Sequence, residues 1–246
     1  MGADLAVSDE FIAAAPPPLG ENDVHVFRVR TDRAYDDASW AVLSGDERER
    51  AQRFHFERDR RTFVLSHAAL RRELARLVEV EPQELRFTQG EFGKPALAGH
   101  DVHFNLSHSG AIALFATSRR GAVGIDVEQW DEAVEHLSLA EHFFSEAERV
   151  ALRQLAHDDA RTVAGFFAAW SRKEAYLKAS GHGITRGLHH FDVSLVPGEP
   201  ARLIADALDA EARERWIMRA IDAGEGYSAA LVAESPVDDV LFFDVG

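Results

Sequence analysis

Cysteine is absent from this 246-residue chain. Its absence removes disulfides, thiolate nucleophiles and thiolate-based zinc and iron–sulfur sites, and it accords with a reducing compartment. Also absent is any apolar run approaching the roughly 20 residues that span a bilayer. The opening MGADLAVSDEF has no basic stretch followed by an apolar one, so no signal peptide is expected. A soluble, cytoplasmic protein without a membrane role is the resulting expectation. No internal repeat and no low-complexity linker is visible. Positive charge is scarce: 27 Lys and Arg face 42 Asp and Glu, a formal net charge of −15. That balance argues against a general nucleic-acid binder. What positive charge exists is concentrated, with nine arginines from Arg48 to Arg76 against Glu49, Glu57, Asp59 and Glu73. One basic segment on an acidic chain suits a small polyanion held at one place, although a charge run alone is more often a solvated helix face.

What is present suffices for a sizeable core: 46% hydrophobic residues, including 16 Phe and 4 Trp. Residues 1–22 are small and Pro-containing and read as a loose arm. VHVFRVR (24–30) alternates as a strand does. Residues 36–56 and 58–79 read as helices, followed by strands at 85–89, 102–107, 111–117 and 123–130, the middle two forming a hairpin about Ser109-Gly110. Helices are expected at 131–142, 145–156 and 159–180, and strands near 190–196, 201–205, 215–221, 227–233 and 238–244. Helices mixed with hairpin-like strands predict an α+β fold with antiparallel sheets.

Four constellations carry chemistry. In VGIDVE, strand alternation sends Val123, Ile125 and Val127 to one face and Gly124, Asp126 and Glu128 to the other. Two carboxylates side by side, about 7 Å apart at Cα, repel unless a cation lies between them. Oxygen donors without His or Cys suit Mg²⁺ or Mn²⁺, and Gly124 leaves room for a bulky ligand; a solvated strand face is the competing reading. In FFAAWSRKEAYLKASG (166–181), Glu174 falls inside the apolar stripe of Val163, Phe166, Phe167, Trp170 and Leu177, with Lys173 and Lys178 on its flanks. A carboxylate so placed is a candidate general base, and the lysines are candidate phosphate clamps; an ordinary Glu174–Lys178 surface pair is the alternative. In FNLSHSG (104–110), His103, Asn105 and Ser107 share a strand face and His108 begins the turn; hydroxyl and imidazole could hold a phosphate, or merely cap a hairpin. No G-x-S-x-G elbow is present. In EFGKP (91–95), Gly93 and Pro95 fix a turn that presents Lys94 to an anion.

FGKP, FNLSHSG, VGIDVE, FFSEAE and WSRKEAYLKASGHGI follow one another over residues 91–184, and the Arg-rich stretch at 49–74 precedes them. In this order they resemble the Sfp-type 4′-phosphopantetheinyl transferases. The resemblance implies two similar α/β halves in a pseudo-twofold arrangement, here residues 23–120 and 121–246, with the active site in the cleft between them, and a monomer. It implies Asp126, Glu128 and Glu148 as metal carboxylates. It implies Lys173 and Lys178 beside the coenzyme A pyrophosphate and Glu174 as base. Gly93, Lys94, Pro95, Asn105, Ser107 and His108 would be coenzyme-contacting positions. Some members carry lysine where this chain has Glu47, so contact with the coenzyme 3′-phosphate falls to arginines such as Arg53 and Arg60, with Arg48, Arg50 and Arg61 as alternatives. His182 stands in GHG where GKG is frequent. The implied reaction is Mg²⁺- or Mn²⁺-dependent transfer of phosphopantetheine from coenzyme A to a serine of an apo carrier protein, by acyl-, peptidyl- or aryl-carrier type not resolved. A magnesium-dependent nucleotide phosphohydrolase and a non-catalytic coenzyme A-binding module are the rival readings.

Overall fold

The computed structural model describes residues 10–90, 93–131, 133–181, 183 and 186–245. Strand β1 (Val24–Arg30) leads into three helices, α1 (Asp37–Ala41), α2 (Gly45–Arg53) and α3 (Glu57–Val78). A short ribbon, β2 (Phe87–Gln89) with β3 (Pro95–Leu97), precedes the hairpin β4 (His103–Ser109) and β5 (Ile112–Ser118). The second part comprises β6 (Val123–Gln129), α4 (His136–Phe143), α5 (Glu146–Leu155), α6 (Asp159–Ser180), β7 (Phe191–Val193), β8 (Leu203–Asp206), α7 (Ala212–Arg215), β9 (Trp216–Ile221), β10 (Tyr227–Glu234) and β11 (Val240–Asp244).

The larger sheets run β11-β1-β5-β4 and β6-β10-β9. Each carries one 22-residue helix, α3 on the first and α6 on the second. Phe27, Phe115 and Phe243 pack with Leu65, Leu70 and Leu74 of α3. Ala230 and Val232 of β10 pack with Tyr176 and Leu177 of α6. Between the sheets, Val26, Leu114 and Ala116 meet Ile125, Val127 and Leu231, which fuses the two parts through one apolar layer. The α+β class expected from the sequence is therefore the one observed. All ladders within these two sheets are antiparallel except one: β11 runs parallel to β1.

Local chemistry explains where elements depart from expectation. The single helix expected over 36–56 is two, because Ser44 starts afresh: its side chain accepts from Glu47 N while Glu47 accepts from Ser44 N, a capping box. The hairpin turns one residue later than expected, at Gly110-Ala111; Ser109 still pairs with Ile112, and Gly110 takes φ +56°. Helix α6 stops where Gly181 adopts φ +71°, as the Ser180-Gly181 signal predicts. The described part of the arm is held down: Ile12 N donates to Phe242 O, Asp244 N to Ile12 O, and Leu19 is buried. No described helix is long and apolar enough to cross a membrane.

Candidate active site

Strand β4 faces β6 with Asn105, Ser107 and Ser109, three alternate residues pointing one way. Each is joined to β6. Asn105 Oδ1 accepts from Ile125 N (2.8 Å), Ser107 Oγ donates to Asp126 Oδ1 (2.8 Å), and Ser109 Oγ donates to Glu128 Oε2 (3.1 Å) while accepting from Gln129 N. This polar seam replaces a backbone ladder between the two sheets and sets the orientation of both carboxylates.

Helix α6 covers the same face of β6. Gly124 does not leave room for a ligand, as expected from sequence; its space is taken by α6, since a Cβ there would stand 2.1 Å from Ala175 O and 2.3 Å from Ala179 N. The close approach brings Lys178 Nζ to 2.6 Å from Asp126 Oδ1 and 3.0 Å from Ser107 Oγ. Asp126 is 2% exposed, and its other oxygen, Oδ2, is buried with no hydrogen-bond partner among the described residues. Burial pushes the Asp126 carboxyl up, opposed by Lys178. Burial and the Asp126 charge push Glu128 up to about 7. Burial and the Asp126 charge also raise Glu174, half-buried on α6. Asp126, Glu128 and Glu174 thus form one mutually repelling group from a strand and a helix.

Glu174 and Lys178 open into a cavity of about 270 Å³ that Gly93, Lys94, Pro95, Asn105 and Gly183 also line. Lys94 reaches across from the first part of the chain to the second, donating to Val123 O (2.9 Å) and Ala179 O (3.2 Å). Desolvation lowers its ammonium to about 8. Gly93, at φ +80°, makes the turn that aims it. His108 lies within β4 rather than starting the turn, on the strand face opposite Ser107. A larger open groove of about 800 Å³ lies at Trp130, His136, Leu137 and Val163; none of the candidate residues lines it.

Two residues expected at the site are elsewhere. Glu148 and Lys173 form a buried pair (2.7 Å; 3% and 0% exposed) between α5 and α6. Glu148 spends its remaining capacity on Val193 N (2.8 Å) and on Ser145 N (3.0 Å), the capping box of α5. Lys173 donates to Leu188 O (2.8 Å) and Phe191 O (2.6 Å). Both oxygens of Glu148 and the Lys173 ammonium are bonded inside the core, and neither side chain lines the cleft cavity. Lys178 follows Lys173 by five helical positions, which turns the two about 140° apart; of the two, Lys178 faces the cleft. Of the arginines, Arg60 is spent on Ala51 O and Phe54 O at the α2–α3 junction, and Arg53 bonds Glu49 O along α2. His182 and Phe92 lie outside the described residues. Ser109, expected only as a residue of the hairpin turn, is legible as the third member of the alternating Asn105-x-Ser107-x-Ser109 face.

Among the described residues no three His, Cys, Asp or Glu side chains form a ready metal cage. Mg²⁺ dehydrates reluctantly and is commonly held by one or two carboxylates together with substrate phosphates. The unpartnered, buried Asp126 Oδ2 beside the repelled Glu128 is the donor arrangement that such an ion relieves.

Comparison with known proteins gives concordant results. A family model described as the 4′-phosphopantetheinyl transferase superfamily matches residues 122–232, and one described as 4′-phosphopantetheinyl transferase, N-terminal, matches residues 32–120. The chain is 38% identical over 196 residues to the 4′-phosphopantetheinyl transferase HetI of a Nostoc species, covering 76% of this chain and 81% of that one. It is 31% identical over 203 residues to a 4′-phosphopantetheinyl transferase of Bacillus subtilis, covering 82% and 86%. It is also 32% identical over 156 residues to the 4′-phosphopantetheinyl transferase Sfp of Bacillus subtilis, covering 63% and 67%. With the two family models meeting at residues 120 and 122, beside the strand that bears Asp126 and Glu128, the chain belongs to the 4′-phosphopantetheinyl transferase superfamily.

Proposed function

We propose that this chain transfers the 4′-phosphopantetheine arm of coenzyme A to a serine of an apo carrier protein, with Mg²⁺ or Mn²⁺, and releases adenosine 3′,5′-bisphosphate. The observation that carries this reading is Asp126: an acid 2% exposed, bonded on one oxygen by Lys178 and Ser107 and, among the described residues, unpartnered on the other. Asp126 and Glu128 would hold the cation, with Glu174 facing them. When bound, a divalent cation supplies charge that neutralises the diphosphate as its bond breaks. Lys178 places a fixed ammonium beside the same phosphates, and Lys94 bounds the cavity that would take the pantetheine arm. Glu174, whose proton affinity is raised by burial and by Asp126, takes the proton of the attacking serine, directly or through water. The serine oxygen forms its bond to the phosphorus bearing the arm, and the bond to the nucleotide phosphate breaks. Both walls of the cleft come from one chain, which supports action as a monomer.

The test is intact-mass analysis of a panel of apo carrier proteins incubated with the enzyme, coenzyme A and Mg²⁺. A gain of one phosphopantetheine, abolished by EDTA and slowed at least about 100-fold by Asp126→Ala, is expected. Nucleotide release at the same rate without any carrier would instead favour a phosphohydrolase.

A further inference from the structure

Asp206 ends β8 with its side chain fully enclosed, and among the described residues three groups bond it. Leu208 N donates to Oδ1 (2.9 Å), while the Tyr176 hydroxyl (2.6 Å) and the Arg186 guanidinium donate to Oδ2. Burial would raise its carboxyl, but the bonds from Arg186 and Tyr176 hold it below the usual range. Burial and the Asp206 contact push the Tyr176 hydroxyl up, so it stays protonated and donates. The Arg186 side chain is 6% exposed and lies over the Tyr176 ring, 5.7 Å from its centroid. This is a buried pair rather than a solvated surface one.

Both donors belong to segments that line the cavity, although neither donor lines it. Tyr176 stands on α6 between Glu174 and Lys178, packed in the core against Phe191 and Trp216, with centroids 4.8 and 6.1 Å away. Arg186 N donates to Gly183 O (3.4 Å), and Gly183 is part of the cavity wall. Asp206 is itself placed by pairing with Phe191, and the next residue, Ala207, donates its N–H to His190 O (2.9 Å). One carboxylate therefore joins the helix that bears Glu174 and Lys178 to the backbone that walls the cavity beside them.

We propose that Arg186, locked on Asp206, is a positioning residue for coenzyme A: it holds Gly183 at the cavity wall before the coenzyme arrives. The proposal deepens the transferase reading above and rests on it. A wall already held spares binding the cost of ordering it. Releasing Arg186 returns that cost, and it falls equally on the bound coenzyme and on the transition state, so KM moves and kcat does not.

Arg186→Met removes the tie but leaves the Asp206 charge buried with less compensation, so its melting temperature should fall. Adding Asp206→Asn removes that charge. The Asn amide can still donate to the Tyr176 hydroxyl and accept from Leu208 N, so the double variant should recover towards the wild-type melt. Both variants are expected to weaken coenzyme A binding by calorimetry, and to raise its KM in carrier labelling, roughly tenfold, with kcat within about twofold. Arg186→Lys, which keeps a charge for Asp206 but loses the planar fork, should fold as wild type does and show a smaller rise, about threefold. A role in stability alone predicts that coenzyme affinity recovers with the melt in the double variant. That result, or unchanged affinity in Arg186→Met and Arg186→Lys, or a fall in kcat at constant KM, would overturn the proposal. A wild type that binds coenzyme A but labels no carrier would overturn the transferase reading, with calorimetry still deciding Arg186; one that binds no coenzyme A would overturn both.

Discussion

Asp126 and Glu148 are both acids buried to within a few per cent, and their neighbours give them opposite duties. Among the described residues Asp126 keeps an oxygen without a partner, whereas both oxygens of Glu148 are bonded. Lys173→Met leaves Glu148 buried and uncompensated, so the loss of unfolding free energy should be about 3–5 kcal/mol, read by urea denaturation. Glu148→Gln should destabilise in the same way, yet the apparent Mg²⁺ requirement of the folded fraction should not move. The difference was available in the sequence. Ser145-x-x-Glu148 ahead of an apolar run is a capping-box pattern, as is Ser44-x-x-Glu47, and a Glu at the third helical position is already employed. Motif order located the acidic strand but could not show which third carboxylate shares its space. His25 is a different kind of buried group, 0% exposed in β1 with neither ring nitrogen partnered among the described residues. Burial, and then the Arg76 charge, lower it to about 4 against an ordinary 6.5. The unfolded chain therefore binds this proton between pH 6.5 and 4 while the folded chain does not, so stability falls as pH falls through that window. The contribution is roughly 3 kcal/mol at the acid end. His25→Leu should flatten the pH dependence of the urea midpoint over that range; an unchanged slope would show that the ring is hydrated.

At the scale of elements, the site is made by one strand and one helix in unusually close contact. Gly124→Ala would set a methyl group inside the α6 backbone, so β6 and α6 must separate. Overpacking of this kind costs about 1–3 kcal/mol, and a shift near 1 Å between Asp126 and Lys178 should lower kcat about 100-fold. A thermal melt together with carrier-labelling rates checks both parts; loss of stability without loss of rate would mean that the separation is absorbed away from the cleft. Most elements were legible, because VHVFRVR, VGIDVE and the long amphipathic helices state their periods plainly. The glycine was legible as a special position but not in its purpose. A missing side chain looks the same in a sequence whether the space is kept for a ligand or for another backbone. The β4–β6 seam was half visible: alternation placed Asn105 and Ser107 on one face, but nothing local named the strand that they meet.

Across the whole molecule, the two parts are fused by the apolar layer between their sheets and by strand β11, which crosses back to β1. Phe243 of β11 is 2% exposed and packs on Phe27, centroids 5.5 Å apart, while Phe242 enters the layer between the sheets. Phe243→Ala should remove about 3–5 kcal/mol, measured by denaturant unfolding, and should loosen the α3 side before the α6 side in hydrogen exchange. Sequence periodicity finds a strand near 238–244 but is blind to a partner more than two hundred residues away. The bidentate Arg28–Asp244 pair joins positions 216 apart. During synthesis, β1 is made before β11 and must wait, with one edge unsatisfied, for the more than two hundred residues between them before β11 can cover it. The cleft therefore has a birth order: its acidic strand and its lysine helix can meet before β11 exists, but the wall carrying Asn105, Ser107 and Ser109 gains its final support only when β11 is laid down.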